Sequence, residues 1–273
     1  MADIKDAAYS GNACRCHEIF AKISDPREQL ATYETAIFYA ALNERAELAM
    51  EIARLEMPLF TARELANPRS MTYNPYVNMA AGAAWSDHAG LCRAALAIYA
   101  THTASHNRSI DIEGLSRTIF GAAFRGDPRG ICAMVCEFAD SIGHKIERGS
   151  MIHGAACGGH IELMLRMLDD MRASAQLPNV AILISNVVIS RRPDVLRAFI
   201  TYADAYQMEL KWNAAIVSAA VSSGANEELF AIIREEMRSR AKRADWPAIL
   251  RCARNWREGE DGIARVQAWM VAA

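Results

Sequence analysis

The sequence predicts an all-α protein assembled from about eight helix pairs, and three observations carry that prediction. Runs of Val, Ile, Thr and Tyr with period-two alternation are nearly absent. Apolar residues recur instead at helical spacing, in stretches broken every dozen residues or so by Gly, Pro, Asn or Asp. One local pattern also returns along the whole chain.

The pattern is clearest in Ser150-Met-Ile-His-Gly-Ala-Ala-Cys-Gly-Gly-His160. With Ala156 as marker, the equivalent positions are Ala8, Ala41, Ala84, Ala123, Val188, Ala220 and Ala253. The eight markers are spaced 33, 43, 39, 33, 32, 32 and 33 residues apart. Four residues before each marker stand Ile4, Ile37, Ala80, Ile119, Ile152, Ile184, Ile216 and Ile249, as a buried position on the first helix of each unit requires.

A second helix follows in each unit. Its apolar residues run Cys16/Ile19/Phe20, Ala49/Ile52/Ala53, Cys92/Ala95/Leu96, Ile131/Met134/Val135, Met164/Met167/Leu168, Leu196/Phe199/Ile200 and Leu229/Ile232/Ile233. Spacing of three and then one places them on one helical face. The small Ala-Ala pair lets consecutive first helices approach closely, and the larger columns fill the space between layers.

The units fall near residues 1–33, 34–76, 77–115, 116–148, 149–180, 181–212, 213–245 and 246–273. The seventh needs a one-residue insertion near Gly224. The last, rich in Trp246, Trp256 and Trp269 and distorted at Arg257-Glu-Gly-Glu-Asp-Gly262, reads as a terminal cap. One unit of this length does not offset an ordering cost of roughly 50 kcal/mol, at ~1.5 kcal/mol per residue. The expectation is one array, 1–273, folding cooperatively.

The string Ile152-His153, Ala155-Ala156 and Gly159-His160 resembles the ankyrin-repeat signature, with Ser150-Met151 in place of its Thr-Pro pair. Five of the seven spacings lie within one residue of that family's period of 33. The projecting hairpins are degenerate, with Ser141-Ile-Gly-His-Lys-Ile-Glu-Arg-Gly149 as the best remnant. The resemblance implies an ankyrin-like helical repeat solenoid, and a period of 32–33 with the Ala-Ala-x-x-Gly-His string argues against a tetratricopeptide-like array. It also implies a histidine at 153 bonded to backbone between repeats, and a histidine at 160 starting the second helix.

In this family partners contact the hairpin tips and the two variable residues after Ala-Ala, on the concave side. Those residues here are Tyr9/Ser10, Leu42/Asn43, Trp85/Ser86, Phe124/Arg125, Cys157/Gly158, Ile189/Ser190, Val221/Ser222 and Arg254/Asn255. Their first members are mostly apolar, which fits either a hydrophobic groove anchored by Tyr9, Trp85 and Phe124 or side chains folded back on neighbouring layers. The preceding column, Asp6, Tyr39, Gly82, Gly121, Gly154, Asn186, Ser218 and Arg251, is mostly small and would leave such a groove open. The expected partner-binding residues are Tyr9, Tyr39, Leu42, Trp85, Phe124, Arg125, Ile189, Val221 and Arg254. Two long segments, Glu56 to Tyr76 and Thr101 to about Thr118, read as inserted loops.

Composition narrows the function. A net charge of −2 gives no overall pull toward nucleic acid or anionic membrane. The start Met1-Ala-Asp-Ile-Lys-Asp-Ala-Ala resembles no signal peptide, and the seven cysteines sit at no disulfide-framework spacing. A cytoplasmic, monomeric protein is expected. Cys14-Arg-Cys16-His17 suggests zinc, yet Cys16 falls in a core column and no second ligand cluster follows. A Cys157–His153 pair lacks an orienting third group, there is no phosphate loop, and no cofactor or metal is expected.

The leading expectation is a non-catalytic scaffold that sequesters or blocks a protein partner. Repeat proteins of this kind are common in intracellular bacteria and large DNA viruses, which suggests a host-directed effector. Two alternatives stand beside it. One is binding of RNA or an acidic partner through Arg234 to Arg257, with eight basic residues against three acids. The other is an enzyme with a site in the long segments at His102, His106 and Asp111.

Overall fold

The protein is all-helical: the computed structural model contains sixteen helices and no strand among the described residues, which are 2–66, 74–106, 110–146, 148–176, 178–221, 227–255 and 259–272. The chain divides into two compact units, residues 1–151 and 152–273. Helix starts follow the chemistry of orphan amides. Asp25-Pro26 and Asn74-Pro75 combine a side-chain cap with proline in the first turn, and Asn12, Asp111, Asn179 and Asp245 also cap helices with their side chains.

The first unit holds four helix pairs: α1 (Ala2–Ser10) with α2 (Ala13–Phe20), α3 (Pro26–Leu42) with α4 (Ala46–Ala66), α5 (Pro75–Trp85) with α6 (Ala89–His106), and α7 (Ile112–Phe124) with α8 (Ile131–Ser141). Within it α1 packs on α3, α3 on α5 and α5 on α7, so first helices stack in succession, while α6 packs on α8. The second unit continues with α9 (Gly149–Gly158, in this unit from Ile152), α10 (Ile161–Ala173), α11 (Val180–Ile189), α12 (Pro193–Ala205), α13 (Trp212–Val221), α14 (Glu227–Ser239), α15 (Trp246–Arg254) and α16 (Gly259–Ala272). Here α11 packs on α13 and α13 on α15, with α10, α12 and α14 stacked beside them.

The periodic columns form the core. All eight markers are 0% exposed, and no member of the column four residues earlier exceeds 1%. Cys16, Ala49, Cys92, Ile131, Met164, Leu196 and Leu229 are buried at the equivalent place on the second helices.

Each described corner between paired helices is drawn by the backbone. Three residues after the marker, Gly11, Glu44, Asp87, Gly126, Gly159 and Arg191 all take positive φ. The amide there donates to the marker carbonyl, as in Gly11 to Ala8 at 3.1 Å and Glu44 to Ala41 at 3.1 Å. In five of the six the next amide reaches five residues back, as in Arg45 to Ala40 at 2.8 Å and His160 to Ala155 at 2.9 Å. This is the Schellman pattern, which satisfies the last carbonyls of a helix. Gly143, Ala175, Gln207 and Ala241 repeat it at the ends of second helices. The corner of the seventh unit, with the insertion expected at Gly224, lies outside the described residues, as do Trp256 and Arg257.

The two long segments are not loops over most of their length. Residues 56–66 continue α4 through Pro58, and residues 101–106 continue α6. Met57 and Phe60 are buried, and that packing sustains the helix despite the amide proline lacks. On α6, the hydroxyls of Thr101 and Thr103 donate back to the carbonyls of Ala97 and Tyr99, so neither polar group is stranded. Residues 67–73 and 107–109 lie outside the described residues. The last helix breaks the pattern in another way. α16 packs on α15 and also against α13, stacks Trp269 on Phe230 of α14 at 3.9 Å, and donates from Arg265 to the Ala220 carbonyl. No helix among the described residues is long and apolar enough to cross a membrane.

One core residue of the first unit is discordant. Glu56 on α4 is fully buried, and neither carboxylate oxygen has a hydrogen-bond partner. Burial, and then the negative charge of Glu34, push its pKa well above the ordinary 4.5. The folded state therefore holds this proton more tightly than the unfolded chain. Its contribution is most favourable at or below pH 4.5 and worsens as pH rises toward the folded value. Glu56→Met should raise stability at pH 7–8 by about 1–3 kcal/mol, with the gain shrinking toward acid. Urea melts across pH measure this, and a gain that does not vary with pH would show that the carboxyl is not its source.

A candidate binding face on the first helices

Three positions on each first helix, six, three and two residues before the marker, share one face. In the first unit that face is hollowed by a cavity of about 250 Å³ lined by Lys5 of α1, Glu34, Thr35, Phe38 and Tyr39 of α3, Asn78 of α5 and Arg117 of α7. Asn78, 2% exposed, donates to the Glu34 carbonyl at 2.6 Å and accepts from Arg117 at 3.2 Å. The Arg117 guanidinium lies 4.6 Å from the Phe38 ring centre, and the Lys5 ammonium 5.3 Å from that of Tyr39. The result is a polar floor with two cations held over aromatic rings. In the second unit a cavity of about 280 Å³ opens on the corresponding helices, lined by Ser185 of α11, Asn213, Ala214, Val217 and Ser218 of α13, and Ala248, Ile249 and Cys252 of α15.

Of the residues expected from sequence, Tyr39 enters the first cavity. Tyr9 is 50% exposed, and its carbonyl accepts from the Asn43 side chain at 2.6 Å. Leu42 and Ile189 are half-buried, and Arg125 and Arg254 are exposed. Trp85 and Phe124 come together, with ring centres 4.9 Å apart and Phe120 beside both. Val221 is buried, because Gly262 of α16 lies against it, and so offers no accessible contact.

The small column is likewise filled rather than open at two of its places. A Cβ on Gly82 would meet the Phe38 carbonyl at 2.5 Å, and one on Gly121 would collide with the Trp85 indole. Glycine is required there because helices and an aromatic ring already occupy the space. Sequence reasoning missed Lys5, Phe38, Asn78 and Arg117, although Asn78 and Arg117 occupy the same place in neighbouring units. It also missed the work of Ser10, Ser86 and Ser190. Each hydroxyl donates to the carbonyl three residues earlier, tying down a helix end.

The reactive residues are dispersed. Cys14 is exposed and Cys16 lies in the core, while His17 bonds Glu51 at 2.8 Å, so that tripeptide does not converge. Burial pushes the Cys16, Cys136 and Cys157 thiols up, and that of Cys92 to about 12. Desolvation lowers the pKa of His153, whose Nδ1 is buried without a hydrogen bond, unlike the backbone-bonded histidine the resemblance implied. Asp111 is an N-cap: its carboxylate accepts from Gly114 at 2.8 Å and from Asn74 at 2.9 Å. His102 sits half-buried on α6, and the side chain of His106 lies outside the described residues. Among the described residues no three His, Cys, Asp or Glu side chains gather where a metal ion would fit.

Compared with protein-family models and with curated proteins, the chain finds no match.

The Trp85–Gly121 contact makes a sharp expectation. Gly121→Ala should cost about 1–3 kcal/mol in the native background through overpacking. With Trp85→Ala the ring is gone, and the same change should become neutral or stabilising by up to ~1 kcal/mol from helix propensity. Equal costs in both backgrounds would rule out this account of the glycine.

Proposed function

We propose that this chain is an ankyrin-like helical repeat scaffold that binds a protein partner, without catalysis, through the face of its first helices. The observation that carries the reading is the hollowing of that face. In each unit, taken alone, three or four successive first helices contribute to one cavity. Ligand sites are typically concave, with a few placed polar groups among apolar ones, and the first unit supplies Asn78, Arg117, Lys5 and Tyr39 around Phe38. Support for the repeat itself comes from the buried columns and the recurrent corner. Binding by occupancy suits such a surface, since it offers shape, aromatic rings and cations. Sequestering or blocking the partner then needs no further chemistry, and a host-directed role is one setting for it.

Photo-crosslinking tests the face directly. A benzophenone amino acid at Thr35 or Tyr39 should trap one partner protein in the cell that makes the chain, and the same group at the exposed Arg93 or Glu137 on second helices should not. Arg117→Glu should weaken the crosslink at least tenfold while leaving the circular dichroism unchanged. Equal trapping from both helix faces would defeat the proposal.

A further inference from the structure

The flank of α14 in the second unit carries a feature that neither the repeat nor the first-helix face explains. Phe230, Ile233, Arg234, Met237 and Arg238 recur at helical spacing along it. With Ile216 of α13, Trp246 of α15 and Met270 of α16 they form a trough of about 420 Å³. Its rim adds Lys242, Arg243 and Ala244 from the connection to α15. The trough exists because α16 leans on α13 and meets α14 through the Phe230–Trp269 stack.

Its chemistry is one-sided. Six large apolar side chains line it, four cations border it, and no carboxylate is among the lining residues. The neighbouring Arg240 is spent elsewhere, on Asp204 at 2.7 Å and Glu236 at 2.8 Å. Glu209, bonded to Lys211 at 2.8 Å, lies within the field of Lys242. Arg238 and Arg243 make no ion pair among the described residues. Cations collected over low-dielectric walls focus a positive potential into the hollow, and a guanidinium pair matches a carboxylate in both charge and geometry.

We propose that this trough binds an anionic amphiphile, a molecule with an apolar body and a single carboxylate head. The body lies against Trp246 and Met270, the accessible apolar side chains of the lining, and the head is held by Arg238 and Arg243. At roughly 30 Å³ per water-sized group, the volume takes on the order of a dozen heavy atoms, which is the scale of a medium-chain fatty acid. A polyanion would satisfy the rim and leave Trp246 and Met270 exposed, whereas a neutral lipid would leave Arg238 and Arg243 unmatched.

Dodecanoate below its micellar concentration, titrated into the full chain by calorimetry, is the probe. It should bind one to one and saturably. Arg238→Glu/Arg243→Glu, both at exposed positions, should weaken it at least tenfold, while Arg27→Glu/Arg54→Glu in the first unit leaves it unchanged. Dodecyltrimethylammonium, with the same tail and the opposite head, and acetate, with the head alone, should each bind at least tenfold more weakly. Absence of dodecanoate binding overturns the proposal, as does indifference to the Arg238/Arg243 reversal. So does displacement by oligouridylate that is equally strong whatever the carboxylate's tail length, because the surface would then be a general polyanion site.

Discussion

In the first unit, the distance between consecutive first helices is set by alanine and glycine, and the rest of that unit follows from the spacing. Ala40-Ala41 and Ala83-Ala84 are fully buried, and a single methyl on Gly82 would already strike the Phe38 carbonyl. Nothing larger fits between these backbones. The isoleucine column can then pack one turn earlier, and the longer side chains of the second helices fill the wider gap on the other side. Polar groups exploit the same closeness: Asn43 and Asn78 reach the preceding layer to satisfy carbonyls at its helix ends and flank.

Much of the helical scaffold was legible because these buried columns demand one kind of residue each. Isoleucine at Ile4, Ile37, Ile119 and Ile152 could be read from spacing alone, and each of these is buried. The long segments were misread for a definite reason. Pro58 and the threonines at 101 and 103 are residues associated with breaks, but burial of Phe60 and back-bonded hydroxyls kept the helices running. Propensity is a weak prior where tertiary packing has a stake.

The face was harder to read than the core. A column of small residues beside a column of aromatic ones is compatible with an empty groove or with rings lying on the glycines. Sequence does not distinguish these, because the outcome depends on which way one χ angle turns. At Trp85 the ring lies over Gly121 and joins Phe120 and Phe124. The hollow that does form rests on Asn78 and Arg117, whose significance comes from pairing across layers and not from any local motif. Glu56 was read only as the start of a loop; its burial depends on α4 continuing past it.

The αL corner three residues after each of the first six markers has a consequence for how such a chain can change. Its defining bonds run between main-chain groups, so the turn persists with glycine, glutamate, aspartate or arginine at its centre. The corner is thus a fixed origin for each of these six helix pairs. Added length has gone to the far ends of second helices, where α4 and α6 overrun their counterparts. A lineage can therefore extend one side of the first unit residue by residue while its opposite side keeps its register. Novelty accumulates away from the stacking, and the scaffold need not be reinvented to accommodate it.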